Sequence, residues 1–213
     1  QGGKSAKLAS QYVGVAMLGL GKFAAGNIYT GHFCYANTST YQARINFGQP
    51  FTSRPTQLKG WFKYNRGTKI DYSTGNYKTL LEQTGGDLCS VYIALTDNPG
   101  FTYDGKEFAY QIDGDLSGDN PAEFKYKSTI DFSESNPHII AYGTITDEEA
   151  KGTGAWQEFT IDLKYRDLNR TPKFIIIVAS ASKYGDFFTG STSSVMYVDD
   201  FELIYGDTPV MSE

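Results

Sequence analysis

Phe174-Ile175-Ile176-Ile177-Val178 is apolar at every position. A β-strand sends alternate side chains to opposite faces, so such a run is a central strand covered on both sides. Working outward, seven further segments alternate with period two or form short β-rich runs, near 6–18, 28–35, 57–65, 88–96, 138–146, 156–165 and 194–205. Turn signals punctuate them: Asn65-Arg66-Gly67, Asp97-Asn98-Pro99-Gly100, Asp104-Gly105, Asn120-Pro121 and Lys151-Gly152-Thr153-Gly154. No long stretch carries a helical period. Glu148-Glu149-Ala150-Lys151 predicts a single turn, capped by Thr146 or Asp147. Eight or so strands without crossover helices predict an all-β, antiparallel two-sheet β-sandwich of the jelly-roll type. The 213 residues contain no linker, repeat or low-complexity tract, and one domain over 1–213 is the simplest organisation. The 97–137 stretch is long for a sandwich connection and predicts an irregular or functional loop.

Alternation also assigns faces. Cys89, Val91, Ile93 and Leu95 share the core side of their strand, and Ser90, Tyr92, Ala94 and Thr96 the other. Phe159, Ile161 and Leu163 point inward, whereas Trp156, Glu158, Thr160 and Asp162 point outward. Ile139, Ala141, Gly143 and Ile145 oppose His138, Ile140, Tyr142 and Thr144, and Trp61 and Lys63 oppose Phe62 and Tyr64.

Composition narrows the function. Aromatics make up 15% of the chain, with 16 Tyr and 14 Phe, a load that suits strands and sugar-facing surfaces alike. The net charge is −5, which argues against a nucleic-acid partner. The charge is uneven: no Asp or Glu precedes Asp71, while nine Lys and Arg do, from Lys4 to Lys69. Singly spaced cations suggest basic and acidic strands interleaved in one sandwich; a basic patch for an anionic glycan is the alternative. No apolar run is long enough to span a bilayer. No signal peptide is visible, which suggests a mature or trimmed chain. Cys34 and Cys89 are the only cysteines, and buried free thiols are the preferred reading over a disulfide.

Three segments in order carry a family resemblance. They are Ser5-Ala6-Lys7-Leu8 followed by Gly19-Leu20-Gly21-Lys22-Phe23-Ala24-Ala25-Gly26-Asn27, then Pro55-Thr56-Gln57-Leu58-Lys59-Gly60-Trp61-Phe62-Lys63-Tyr64, and Val198-Asp199-Asp200-Phe201-Glu202-Leu203-Ile204-Tyr205. Together they resemble the putative carbohydrate metabolism domain of secreted and surface proteins of Bacteroides-type bacteria. The resemblance implies a jelly roll like a carbohydrate-binding module and a role in polysaccharide use. It implies a secreted, periplasmic or outer-membrane surface location. It supplies no catalytic residues. Related chains carry further sequence before Ser-Ala-Lys-Leu, which implies a natural N-terminal segment lacking here.

Glycan binding needs flat rings for sugar C–H faces and polar neighbours for hydroxyls. Trp61, Tyr92, Tyr142 and Trp156, on non-core faces, and Tyr103, in a loop, are the candidate carbohydrate-binding residues. Tyr72, Tyr77, Phe101 and Tyr110 are also expected in loops. Asp199-Asp200 lies inside an apolar strand, so alternation sends one carboxylate to each face, and the inward one needs a partner. Turn amides or an ion pair are the preferred partners; resemblance to jelly-roll binding modules offers a structural Ca²⁺ as the alternative, with Asp199 and Asp200 as its candidate ligands. No other cofactor is implied.

Other motifs carry less. Asp113-Gly114-Asp115-Leu116-Ser117-Gly118-Asp119 imitates an EF-hand loop but has Phe124 where the bidentate acid belongs, and reads as a solvated acidic turn. Gly19-Leu20-Gly21-Lys22-Phe23-Ala24 matches a dinucleotide motif without the helix and later acid it requires. A glycosidase would need two spaced carboxylates, and nothing in the sequence pairs any two of Glu82, Glu107, Asp113, Glu123, Glu148 and Glu158. The expected function is therefore a non-catalytic glycan-binding domain, with a glycoside hydrolase or a structural module of a surface glycan-uptake assembly as the rivals.

Overall fold

The computed structural model describes residues 3–15, 20–37, 42–73, 75–115, 130–206 and 209–212. Two main sheets face each other. The first has four antiparallel strands in the order β1 (Ala6–Ala9), β17 (Val195–Ile204), β8 (Gln57–Asn65), β14 (Trp156–Asp162). The second runs β18 (Val210–Met211), β15 (Lys164–Tyr165), β13 (Ile139–Thr144), β9 (Ser90–Thr96), β16 (Phe174–Ser180), β4 (Asn27–Tyr29), with β7 (Gln49–Pro50) also on β16. All pairings in the two sheets are antiparallel except β15 with β18. The chain steps from one sheet to the other between β8 and β9, β13 and β14, and β16 and β17, which makes a sandwich rather than a pair of hairpins. The all-β sandwich read from the sequence is the fold.

Strand alternation explains the core. Leu58, Phe62 and Tyr64 from β8, Phe159 and Ile161 from β14, and Met196 and Val198 from β17 meet Val91, Ile93, Leu95, Ile175 and Ala179 of the other sheet in one cluster. The inward face expected of 88–96 is all present there. A register shift between Ile139 and Ala141 changes one assignment: Ile140, expected to oppose Ala141, joins it in the same cluster.

The sheets number more than two. β5 (Gly31–Asn37), β6 (Gln42–Phe47) and β12 (Tyr110–Asp115) form a third, ordered β12-β6-β5. Phe47 and Tyr110 from it, together with Ile130 and Phe132, cover Ala94, Ile176 and Val178 on the outer side of the second sheet. The run at 174–178 is thus buried from both sides, as its composition requires. Two hairpins complete the strands: β2 (Gln11–Val15) with β3 (Leu20–Ala24), and β10 (Phe101–Tyr103) with β11 (Lys106–Phe108).

Several expectations change. Part of the 97–137 stretch is β-structure, because β10 to β12 lie in it. Asp113, Gly114 and Asp115 belong to β12 rather than to a turn, and the rest of that acidic motif lies outside the described residues. Tyr77 opens the short helix α1 (Tyr77–Gln83), Phe101 and Tyr103 sit in β10, and Tyr110 in β12, so these rings are not on loops, whereas Tyr72 stays in the connection after β8 with one isolated bridge to Gly190. Leu20–Ala24 of the Gly-rich motif form strand β3 with no helix following, in keeping with a dinucleotide match that lacks its helix, and Gly19 lies outside the described residues. The turn at 149–151 is a 3-10 turn, and Thr146 caps it: its Oγ1 accepts the Glu149 N–H while Glu149 Oε2 accepts both the Thr146 N–H and hydroxyl. Both cysteines are free; Cys89 is buried, which pushes its thiol up, whereas Cys34 is only half-buried.

One polar network lies inside the apolar core. Asp87 is fully buried, and its Oδ2 accepts hydrogen bonds from Ser182 Oγ (2.7 Å), Ser194 Oγ (2.7 Å) and the Ser191 N–H (2.9 Å), while Oδ1 accepts the Leu88 N–H (2.9 Å). Burial pushes its carboxyl above the usual range against the pull of these donors. Tyr64 extends the network, donating to the Ala181 carbonyl at 2.9 Å. One carboxylate thus ties the start of β9 to the segments on either side of the 185–190 turn.

Candidate functional site

The outer face of the four-stranded sheet gathers the chain's only two tryptophans. In β8 the residues Gln57, Lys59, Trp61 and Lys63 alternate with the buried Leu58, Gly60, Phe62 and Tyr64 and so point to solvent. In β14 the outward set is Trp156, Glu158, Thr160 and Asp162. Registration places Glu158 directly opposite Trp61, and Trp156 opposite Lys63. On the other flank of β8, Asp199 lies opposite Trp61 and Tyr197 opposite Lys63. The two indoles are therefore diagonal neighbours, roughly 7–8 Å apart at the backbone, within reach of each other's rings.

A β-bulge shapes the β17 side. Asp199 pairs with Trp61 and Glu202 with Lys59, so three steps along β17 match two along β8. The extra residue is Asp200, which adopts a left-handed φ of 50° and is exposed. Its N–H is held by Asp199 Oδ1 at 3.0 Å. This corrects the expectation for the pair: Asp199 shares the outer face with Trp61, Asp200 is exposed on the bulge, and neither carboxylate is driven into the core. Phe201 packs inward instead, edge-on to Phe159 with ring centres 5.2 Å apart. Gly60 makes room for both: a Cβ there would lie 2.6 Å from Phe201 and 2.8 Å from Phe159.

Lys59, Gly60, Trp61, Glu158, Asp200, Phe201 and Glu202 line an open depression of about 460 Å³ on this face. Its walls combine the Trp61 and Phe201 rings with three carboxylates and an ammonium. That is the donor and acceptor inventory sugar hydroxyls need, beside a surface on which a pyranose face can rest.

Asp199 and Asp200 would give a calcium ion two side-chain carboxylates, the rest of its oxygens coming from backbone carbonyls or water. Such an ion takes six to eight oxygens. Among the described residues no three His, Cys, Asp or Glu side chains converge to hold a metal, and Asp199 Oδ1 is engaged by a backbone N–H.

The remaining predicted residues lie elsewhere. Tyr92 and Tyr142 do face away from the main core, but the third layer covers them: Phe132 stacks on Tyr142 (5.5 Å, 26°) and tilts against Tyr92 (5.1 Å). Burial pushes both phenols above their ordinary range, with the nearby Asp186 charge adding to the effect at Tyr92. Tyr103 sits on the β10–β11 hairpin near the His32 ring, 5.9 Å away. None of these three joins the tryptophan face. The sequence placed Lys63 on the face of Trp61, but did not bring Tyr197, Lys59 or Glu202 to the tryptophans. The alternation Met196-Tyr197-Val198-Asp199 was a usable signal for Tyr197, but the bulge after Asp199 hid the side taken by Glu202.

The fold is an antiparallel β-sandwich with an added third sheet, and sequence comparison gives it a family. Residues 1–204 match the family described as Putative carbohydrate metabolism domain, and the chain belongs to that family. Comparison with curated proteins gave no match. Among solved structures, a protein of Bacteroides thetaiotaomicron described as a putative glycoside hydrolase superposes with a TM-score of 0.62 at 22% identity, covering 98% of this chain and 55% of that one. A Bacteroides vulgatus protein described in the same words gives 0.61 at 23% identity, covering 94% of this chain and 72% of that one. The chain thus spans little more than half the length of the first of these proteins, and at such identities the likeness establishes the fold.

Proposed function

We propose that this chain is a non-catalytic glycan-binding domain of a secreted or cell-surface bacterial protein engaged in polysaccharide use. The observation that carries the reading is the placement of Trp61 and Trp156 on one solvent-facing side of two paired strands, ringed by Lys59, Lys63, Glu158, Asp199 and Glu202. The depression beside Trp61 is open and shallow-sided. That suits docking of a polymer more than sequestering a reacting bond from water. Membership of a carbohydrate-metabolism family supports the ligand class. No helix among the described residues is long and apolar enough to cross a membrane, which is compatible with an extracytoplasmic module.

A second reading has one specific observation in its favour. Glu158 and Asp199 flank Trp61 from opposite sides in register, so two carboxylates bracket a ring on which a sugar would sit. A glycoside hydrolase uses two carboxylates on either side of the scissile bond.

Affinity electrophoresis against a panel of polysaccharides, with reducing ends assayed in parallel, separates the two. Retardation without new reducing ends is the expected result. Product release that Glu158→Gln abolishes would replace the binding reading with hydrolysis, and free migration through every polymer would refute both.

A further inference from the structure

The outer face of the four-stranded sheet is not uniform in charge. Reading across the strands, one register row runs Lys7, Tyr197, Lys63, Trp156. It alternates ammonium and ring and contains no carboxylate. The next row runs Asp199, Trp61, Glu158, and the one after it Glu202, Lys59, Thr160. On the far side, Ala9, Val195 and Asn65 are uncharged. All the acids of this face therefore lie on one side of the row, the other side is uncharged, and Lys7 and Lys63 stand in the row itself. Among the described residues neither lysine forms an ion pair. Lys59, by contrast, has Glu202 as its cross-strand neighbour.

We propose that the Lys7–Tyr197–Lys63–Trp156 row selects anionic saccharides, sugars bearing a carboxylate or sulfate, and is the charge-reading end of the glycan platform. This rests on the reading of that face as the glycan site and names the ligand class it takes. The physical reason is the pairing of functions within the row. Trp156 and Tyr197 offer faces for the sugar ring, and the intervening Lys63 sits between them with its charge unspent. Lys7 is two strands from Lys63, roughly 10 Å at the backbone, so their flexible arms can grip one acidic group together or two along a chain. A protein of net charge −5 has no general attraction for polyanions, so affinity for one would have to come from a local feature such as this. The neighbouring acidic row limits the register in which such a chain can lie, since sliding it toward Asp199 and Glu158 opposes like charges.

The test uses two matched polymer pairs: polygalacturonate against its methyl ester, and dextran sulfate against dextran. The expected result is about tenfold tighter binding of at least one charged member than of its neutral partner, decreasing with salt, with the pair that responds identifying carboxylate or sulfate. Lys7→Gln with Lys63→Gln removes that preference while leaving the melting point unchanged; Lys106→Gln, on the distant β10–β11 hairpin, leaves the preference intact. Equal binding within both pairs, or a preference that survives the double lysine substitution, overturns the proposal while the glycan-binding reading stands if neutral polymers are bound. Failure to bind any polymer, charged or neutral, overturns both.

Discussion

Trp61 and Trp156 stand diagonally across one pair of strands, on the same solvent-facing side, with Glu158 opposite the first and Lys63 opposite the second. Nothing in the packing of the main core calls for indoles there: the residues beneath them, Phe62, Tyr64 and Phe159, are already buried by the opposite sheet. Large rings held at a surface by rigid strands cost little conformational entropy to use in binding. That combination sets the expectations that follow.

Replacing Trp156, the more exposed ring, with Ala should weaken binding of a retained polysaccharide about tenfold, roughly 1.4 kcal/mol, and shift stability by less than about 0.5 kcal/mol. Calorimetric titration and a thermal melt of the same variant check the two halves. A variant that binds normally, or one that loses binding only by unfolding, would remove this ring from the platform.

Gly60→Ala should destabilise the protein by about 1–3 kcal/mol, because the added methyl meets both Phe159 and Phe201 beneath the platform. Chemical denaturation measures it. An unchanged midpoint would show that the aromatic pair yields easily and that the notch does not fix β17 against β8.

Asp87→Ala should cost about 3 kcal/mol or more, since two serine hydroxyls and two backbone N–H groups lose a shared buried acceptor. The loss should show as a lowered denaturation midpoint with an unchanged slope. A loss below 1 kcal/mol would mean the donors find other partners.

Asp97 supplies a pH dependence. Burial pushes its carboxyl up, but the hydrogen bonds from Arg170 and His138, and their charges, outweigh this and hold it below the ordinary value of 3.8. A depressed carboxyl contributes stability that is present above pH 3.8 and is lost as pH falls through the lowered folded value. Asp97→Asn should therefore be less stable than wild type at neutral pH, and the gap should close in acid below about pH 4. Melting points across pH 2–7 test it; a gap independent of pH would contradict the assignment.

Much of this architecture is legible in the residues. The five-residue apolar run at 174–178 announces a strand covered twice, and the alternation in 57–65 and 156–162 places both tryptophans outside. Legibility ends where a face's fate depends on distant chain. Tyr92 and Tyr142 do point away from the main core, as their period dictates, yet period cannot tell solvent from a third layer built from Phe47, Tyr110 and Phe132. The bulge at Asp200 is likewise invisible locally, because it arises from matching β17 to its partner rather than from its own sequence. Helix α1 is too short, at seven residues, to declare a period, and among its residues only Leu81 is buried.

The tryptophans also provide the most direct test of the central claim. Because no other indole exists in the chain, intrinsic tryptophan emission reports on this face alone, and its change on adding a retained polysaccharide can be compared with binding measured by calorimetry. The account predicts a saturable shift or quench whose midpoint coincides with the calorimetric one. Heat of binding with no change in tryptophan emission would place the glycan on some other surface and contradict it.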